Sequence, residues 1–459
     1  MTLCGEALTL GANTLYSSLP AVCSASQLAE LVRGTLSAHV EYLLLQLLPG
    51  RIGLTQQELL RMQNVLRDSG STMLYADYRC ATTAVSSEVC ETIDYQLGAV
   101  RDDFDFGALV MISASALEKA MRAVTDDLQY GAWYALRLAL SRQALPFHLN
   151  ELLYSYMPLS QDESSQFDYV NPRNRGVQVE YERVFTEHLR ALGAFTDYTK
   201  MKSAAPLSED DGRVMASVVI PVFNRVKTIQ DAIRSALAQE TTFAFNVVVV
   251  DNHSTDGTTE AIAALAAEDA RVVHIVPEED SLRIGGCWNK AVASAECGSY
   301  IVQLDSDDIY SSKDTLQKMV SAFTEQDCMA VVGSYRLTDF NLQELPPGVI
   351  DHKEWTVENG MNNAIRINGL GAPRGFRRDL LLRHPLPNTS YGEDYAAMLR
   401  ICREYRIGRI FESLYDCRRW SGNSDAALSR EKINRNNLYK DRIRSIELAV
   451  RAAVLRVNS

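Results

Sequence analysis

The feature that most constrains the fold is a short apolar run that ends on three acids, YIVQLDSDDIY from Tyr300 to Tyr310. Apolar and β-forming residues that stop abruptly at carboxylates suit a buried strand whose carboxyl end opens into a crevice, where open α/β sheets bind ligands. Asp305, Asp307 and Asp308 repel one another at this spacing. A divalent cation, Mn²⁺ or Mg²⁺, shared with a diphosphate would relieve the repulsion. A DxD by itself is more often a solvated acidic turn, so the surrounding elements decide the interpretation.

The stretch from Val214 onward repeats one scheme, in which a strand is followed by a helix. MASVVIPVFNR (215–225) is an apolar strand that ends in polar residues, and an amphipathic helix follows it. The next strand, FNVVVV (245–250), is apolar throughout, as parallel sheets require, and ends on Asp251. RVVHIV (271–276) begins a third round. This alternation predicts a nucleotide-binding α/β layer.

Length, charge and cysteine usage narrow the class of protein. A chain of 459 residues is too long for one core, so two domains are expected. A net charge of -12 argues against a nucleic-acid partner. Nine cysteines without a CxxC spacing indicate reduced thiols. With neither a signal peptide nor an apolar run of about 20 residues, we expect a cytoplasmic protein without a transmembrane segment.

The first half contains an internal match to the second half. YGAWYALRLALSR (130–142) lines up with YGEDYAAMLRICRE (391–404) at an offset of 261 residues, and LNELLYSY (149–156) matches IFESLYDC (410–417) at the same offset. Such a repeat predicts that the first half contains a diverged copy of part of the second.

The copy lacks the acids of the second half, because Ala132 and Trp133 replace Glu393 and Asp394. Elsewhere in the first half, apolar residues at helical spacing between Leu28 and Leu48 predict core helix.

Six segments of the second half, in this order, resemble the family 2 inverting glycosyltransferases of the GT-A fold. The segments are PVFNR (221–225), VVVVDNHSTDGT (247–258), GGCWNKAV (285–292), LDSDD (304–308), NGLGAPRGFRRDLL (368–381) and GEDY (392–395). The resemblance implies a mixed α/β sheet flanked by helices, with a truncated GT-A-like domain ahead of the catalytic one.

The resemblance also implies roles for individual residues. Asp394, with Glu393, would be the catalytic base, and Asp307 and Asp305 would hold Mn²⁺ or Mg²⁺. Arg374 and Trp420 are candidates for acceptor binding. The residues assigned to donor binding are Pro221, Val222, Asn224, Asp251, Asn289, Asp305 and Arg419.

Structural roles compete with two of these assignments. Asp251 could instead cap the following helix, and Glu393 and Asp394 could simply complement a helix dipole. Asp416 departs from the Q/RxxRW motif of processive family members, so polymer synthesis by repeated transfer is not expected.

The expected activity is metal-dependent transfer of a sugar, with inversion, from a UDP- or GDP-linked donor to a hydroxyl of a glycan, a lipid-linked or a small acceptor. The expected organisation is a truncated, inactive domain (1–160), a bridging helix and linker (161–213), a catalytic domain (214–425) and a C-terminal helix (426–459). That helix most simply docks on the protein itself, and a homodimer contact or a peripheral membrane contact is left open.

Two other functions stay open from the sequence. A sugar-phosphate nucleotidyltransferase would need a Gly-rich loop after the first strand, which PVFNR does not offer. A non-catalytic sugar-binding or nucleotide-binding pseudoenzyme would show no turnover.

Overall fold

The computed structural model describes residues 13–20, 22–81, 87–159, 174–204, 207, 214–353, 355–420, 422–423 and 428–457. Much of the predicted linker, residues 160–173 and 208–213, therefore lies outside the described residues. The chain divides into two compact units. Unit 1 comprises Met1–Phe195, Ile365–Ile367 and Leu428–Ser459, and unit 2 comprises Thr196–Ala364 and Asn368–Ala427.

Unit 2 is built from strands and helices that alternate in its first half, as the sequence predicts. Its strands are β8 (Ala216–Val222), β9 (Phe245–Asp251), β10 (Val272–Ile275), β11 (Tyr300–Gln303), β12 (Ile309–Tyr310), β13 (Ala330–Thr338), β14 (Glu344–Ile350), β15 (Arg374–Arg377) and β16 (Ile407–Arg418). Its helices are α6 (Ile229–Leu237), α7 (Thr258–Glu268), α8 (Ile284–Ala293), α9 (Thr315–Glu325), α10 (Gly360–Asn363), α11 (Arg378–Arg383) and α12 (Glu393–Cys402).

The described strands of unit 2 form one mixed sheet in the order β10-β9-β8-β11-β15-β13-β16-β12, with β14 paired to β13. The first four strands are parallel, and β15 runs antiparallel between β11 and β13. Every residue of β9 is buried, as expected for a central parallel strand covered on both faces. The predicted mixed α/β fold is confirmed. The carboxyl ends of β8, β9 and β11 lie at the same edge of the sheet.

Unit 1 is a smaller mixed sheet covered by helices. Its strands are β1 (Thr14–Ser18), β2 (Tyr42–Gln46), β3 (Gly50–Gly53), β4 (Met73–Ala81), β5 (Ser87–Cys90), β6 (Leu109–Ser113) and β7 (Phe147–Pro158). Its helices are α1 (Ala25–Ser37), α2 (Gln56–Ser69), α3 (Ala114–Met121), α4 (Ala132–Gln143), α5 (Arg175–Leu192) and α13 (Arg430–Val457). The expectation of helix between Leu28 and Leu48 is wrong beyond Ser37, because Tyr42–Gln46 is a fully buried strand. Periodicity cannot distinguish so short an apolar run from a helical segment.

The two sheets share one topology. The strands of unit 1 follow the order β1-β2-β6-β4-β7-β3, with β5 paired to β4. This matches β8-β11-β15-β13-β16-β12, with β14 on β13, and each pair has the same parallel or antiparallel sense. Within the described residues, unit 1 has no counterparts of β9 and β10.

The register agrees as well as the strand order. The β4·β7 ladder shifts register at Asp77 and then pairs Tyr78 with Tyr154. The β13·β16 ladder shifts at Ser334 and then pairs Tyr335 with Tyr415. A shared irregularity of this kind supports the internal repeat that the sequence predicts, because bulges are retained within families.

Helix α13 is joined to the rest of unit 1 by buried charges. Asp441 and Arg444 have no exposed side-chain surface, and their Oδ1 and Nη1 atoms lie 2.8 Å apart. Arg101 lies 3.4 Å from the same carboxylate, and Gly98 donates its N–H to the Ser445 hydroxyl at 2.8 Å. The helix therefore docks on unit 1.

We predict that Arg444→Met lowers the free energy of unfolding by about 3–5 kcal/mol, because it leaves the Asp441 carboxylate buried without its closest cation. Urea denaturation followed by circular dichroism measures this. The control is Arg435→Met on the same helix, where both side chains of the ion pair with Glu431 are largely exposed and the change should stay within about 0.5 kcal/mol. Equal midpoints for the two variants would contradict the prediction.

Candidate active site

A cavity of about 790 Å³ lies at the carboxyl ends of the parallel strands of unit 2. It brings together the acids after β11, the start of α12 and the end of β16. Among the predicted site residues, those that line it are Pro221, Val222, Asp305, Asp307, Arg374, Glu393, Asp394 and Arg419. The DxD acids and the predicted base therefore share one cavity, although they are separated by almost ninety residues in sequence.

Asp305 is held at the end of β11 by residues of its own and neighbouring strands. The Gln303 amide donates to both carboxylate oxygens, at 2.9 and 3.1 Å, and the Asp305 N–H donates to the Tyr415 hydroxyl at 2.9 Å. Burial raises the pKa of Asp305 against the opposing charge of Arg374, and the charge of Asp307 adds to the rise. Burial, with the charges of Asp305 and Asp307, also raises the pKa of Asp308 well above its ordinary value. Burial and mutual repulsion thus disfavour the negative charge of Asp305 and Asp308.

Asp307 is contacted by residues from two other segments. Its Oδ2 atom accepts from the Asn423 amide at 3.1 Å and from the Trp420 indole N–H at 3.4 Å, and the Arg225 Nε lies 3.8 Å away. The described residues contain no cluster of three or more His, Cys, Asp or Glu side chains that could hold a metal. Crowded carboxylates nevertheless suit Mg²⁺ or Mn²⁺, which usually take one or two protein carboxylates and complete their shell with phosphates and water.

The two acids of the GEDY segment open α12 and face different surroundings. Gly392, at φ 78°, supplies the left-handed turn that starts the helix. The Asp394 carboxylate lies 2.6 Å from the Arg374 Nη2 and accepts the Tyr395 N–H at 2.6 Å. Glu393 is 8% exposed, and its Oε2 has no hydrogen-bond partner. Burial, followed by the charge of Asp394, raises the pKa of Glu393 to about 8.

Several predicted donor-binding residues lie outside the residues that line the cavity. Asp251 is fully buried and accepts from the Thr259 hydroxyl at 2.5 Å and from the Ser254 N–H at 3.1 Å. Asn224 accepts the Thr255 N–H at 2.8 Å. These two side chains organise the turn between β9 and α7, and their roles in donor binding stay predictions.

Two further predicted residues also make structural contacts. The Asn289 amide pairs with both backbone groups of Leu386, at 2.8 and 2.9 Å. The Trp420 ring packs edge-on against Phe340, with centroids 5.4 Å apart. Asp416, the position that departs from the processive motif, accepts two hydrogen bonds from Arg336.

The structure adds residues that the sequence analysis did not assign. Gln303, Asn252, Arg225 and Asn423 line the cavity. The Asn252 Oδ1 is buried without a hydrogen-bond partner, while its amide nitrogen donates to the Leu282 carbonyl at 3.0 Å. In the resemblance to family 2, the segment VVVVDNHSTDGT (247–258) corresponds to a family element VVDDGSTDGT, so Asn252 stands where that element has Asp, and this substitution could have indicated the residue. No local sequence signal indicated Asn423, because its contact with Asp307 joins residues that are 116 positions apart.

We predict that Glu393→Gln stabilises unit 2 in alkaline solution but not in acid. The carboxyl releases its proton near 4.5 when unfolded and near 8 when folded, so the folded state binds more protons between these values. Its contribution to stability is therefore lost as pH rises from about 4.5 to about 8, and glutamine removes that loss.

Calorimetry should give melting temperatures that agree at pH 5 and differ by a few °C at pH 9, with the variant higher. The control, Glu412→Gln, changes an acid whose side chain is 58% exposed and should show no such trend. A pH-independent difference for Glu393→Gln would contradict the prediction.

Comparison with known families finds a match for part of unit 2. Residues 217–382, which include both the DxD acids and Arg374, match the profile of the family described as Glycosyl transferase family 2. Unit 2 therefore contains a segment that is similar to family 2 glycosyltransferases.

Curated relatives match the chain over part of their length. The putative teichuronic acid biosynthesis glycosyltransferase TuaG of Bacillus subtilis is 29% identical over 151 residues, which cover 33% of this chain and 58% of TuaG. The chondroitin synthase of Pasteurella multocida is 28% identical over 173 residues, which cover 33% of this chain and 17% of that protein. The chain thus spans little more than half of TuaG.

Solved structures with similarity to the chain include Staphylococcus aureus TarS 1–349 in complex with UDP-GlcNAc. It is 22% identical, with a TM-score of 0.40, over 50% of this chain and 66% of that one. The mannosyltransferase PcManGT from Pyrobaculum calidifontis, in complex with GDP-Man and Mn²⁺, is 18% identical, with a TM-score of 0.36, over 62% of this chain and 86% of that one. At these scores the alignments carry no argument about ligands.

Proposed function

We propose that this protein is an inverting glycosyltransferase that moves a sugar from a nucleoside diphosphate donor, UDP- or GDP-linked, to a hydroxyl acceptor. The observation that carries the proposal is the single cavity lined by Asp305, Asp307 and Asp394. In this proposal, Asp305 and Asp307 are the metal ligands, and Asp394 is a separate carboxylate that takes the proton of the acceptor hydroxyl. The family 2 domain supports the same reaction class.

Asp307 and Asp305 would hold Mn²⁺ or Mg²⁺. When bound, the cation acts as a Lewis acid that offsets charge on the departing diphosphate. Arg225 and Arg419 also line the cavity and place positive charge there for the phosphates.

Asp394 would act as the general base. As the acceptor oxygen bonds to C1 of the sugar, the bond from C1 to the diphosphate breaks and the acceptor proton passes to the carboxylate. Attack from the face opposite the leaving group inverts C1. Glu393, whose pKa is near 8, is protonated at neutral pH and could donate a hydrogen bond beside it.

Unit 1 is proposed to be non-catalytic. Gln46 ends β2 as Gln303 ends β11, and at the same offset of 257 residues Leu48 and Gly50 replace Asp305 and Asp307. Ala132 and Trp133 begin α4 where Glu393 and Asp394 begin α12. The copy therefore has neither the metal ligands nor the base.

The acceptor and the cellular setting are also proposed rather than established. A glycan, lipid-linked or small hydroxyl compound would fit the reaction class. The eight cysteines in the described part of the chain are free thiols, which supports a reducing, cytoplasmic location. Across the described residues, no helix combines the length and apolarity needed to cross a bilayer.

We predict that Asp394→Asn lowers transfer by about 10²–10⁴-fold, because the acceptor proton loses its base. Release of nucleoside diphosphate from a panel of UDP- and GDP-sugars with Mn²⁺ measures turnover, and NMR of the product gives the anomeric configuration. The control is Asp379→Asn, an acid on α11 whose side chain is 46% exposed. Full activity in Asp394→Asn would refute the assignment of the base.

We also predict that Asp307→Asn abolishes the Mn²⁺-dependent part of the thermal stabilisation by UDP or GDP for the whole chain, since Leu48 and Gly50 stand in unit 1 where Asp305 and Asp307 stand in unit 2. A thermal-shift titration with and without Mn²⁺ tests this. Asp314→Asn, an exposed acid before α9, serves as the control. A metal-dependent shift that survives in Asp307→Asn would place the metal elsewhere.

A further inference from the structure

The guanidinium of Arg374 contacts three groups of the protein itself. Its Nη1 donates to the carbonyl oxygens of Leu370 and Gly371, both at 2.7 Å, and its Nη2 lies 2.6 Å from the Asp394 Oδ2. Only 16% of the side chain is exposed. A guanidinium clamped by two backbone carbonyls keeps one orientation, so it can fix the orientation of a carboxylate that it contacts.

Asp394 is located through both of its oxygens. Oδ2 meets Arg374, and Oδ1 accepts the Tyr395 N–H at 2.6 Å within the first turn of α12. The carboxylate nevertheless lines the cavity, with 24% of the side chain exposed. Each oxygen therefore has a fixed donor while the group stays open to a ligand.

Gln303 connects this pair to the acids after β11. Its Oε1 accepts the Arg374 N–H at 3.3 Å, and its Nε2 donates to both oxygens of Asp305. Strands β11 and β15 are paired antiparallel at this point, with Val302 opposite Gly375. The backbone N–H of Arg374 contacts Gln303 and its guanidinium contacts Asp394, so this residue links the proposed metal ligand to the proposed base.

The charged and titratable groups that face Arg374 come from three elements. Asp394 and Glu393 belong to α12, Asp305 follows β11, and Tyr415 belongs to β16. Burial disfavours the charge of Arg374, but these groups outweigh it and raise its pKa above the ordinary value. The side chain is a permanent cation.

We propose that Arg374 is a positioning residue, which holds the Asp394 carboxylate where it can take the proton of the attacking hydroxyl, and that Gln303 ties this arrangement to the donor site. This inference rests on the proposed glycosyl transfer. In the step itself, the C1–oxygen bond to the acceptor forms, the C1–oxygen bond to the diphosphate breaks, and the proton moves to Asp394. Arg374 stays charged throughout. This role differs from the acceptor binding that the resemblance suggests for Arg374.

Hydrolysis of the donor separates the two roles, because water needs no acceptor subsite but still needs the base. The assay follows release of nucleoside diphosphate from the UDP- or GDP-sugar that the wild-type protein turns over fastest, with Mn²⁺ and without added acceptor. For Arg374→Gln we expect kcat to fall by about 10- to 100-fold, with the donor KM within about twofold of the wild type. Arg374→Lys keeps the positive charge but lacks the planar guanidinium with its several N–H donors. This variant should recover part of the lost kcat.

The control is Arg377→Gln on the same strand, which removes an arginine that is paired to Asp379 at 3.0 Å and does not itself line the cavity. It should leave hydrolysis unchanged. A UDP or GDP thermal shift that persists in Arg374→Gln shows that the donor site is still folded.

Hydrolysis by Arg374→Gln at the wild-type rate would overturn the inference, as would a raised donor KM with unchanged kcat, and the proposed function would stand in both cases. No release of nucleoside diphosphate by the wild-type protein from any donor in the panel would instead overturn the proposed function, and the inference with it.

Discussion

The crowding of carboxylates at the end of β11 is the constraint on which the rest of unit 2 depends. Asp308 is buried and Asp305 is partly buried, both have raised pKa values, and Asp307 lies between them in the chain. Such a group is stable only where compensating donors surround it. Here the donors come from Gln303, from Asn423 and from the backbone of Arg418. Hydrogen-bond donors at the carboxyl end of the sheet thus surround the carboxylates that follow β11.

The two acids at the start of α12 line the same cavity but have different partners. Asp394 is paired with a clamped arginine, while Glu393, its neighbour in sequence, is buried with no hydrogen-bond partner for its Oε2 and has a pKa near 8. Adjacent residues in one helical turn therefore lie in different electrostatic surroundings. A buried carboxyl with a raised pKa beside a carboxylate that is paired with a cation is an arrangement found at acid–base sites.

Unit 1 shows what the same topology becomes when those acids are absent. The strand order, the pairing senses and the register shift at Asp77 follow unit 2. The positions equivalent to the proposed metal ligands and to the two acids at the start of α12 are Leu48, Gly50, Ala132 and Trp133. Ala132 and Trp133 are buried within a hydrophobic cluster. The sheet can be retained without its site, since strand pairing depends on backbone and core and not on carboxylates at one edge.

The sequence by itself determined the alternation of strands and helices in unit 2, the acids at the end of β11 and those at the start of α12. These features are local, because periodicity and turn residues are encoded within a few positions. Only the tertiary structure decided that Arg374 pairs with Asp394 and that Asn423 donates a hydrogen bond to Asp307. It also decided that Asp251 is hydrogen-bonded within the turn between β9 and α7, and that Tyr42–Gln46 is a strand. The reason is that these contacts follow from sheet order and strand register, which bring together residues as many as 116 positions apart, and no local pattern encodes them.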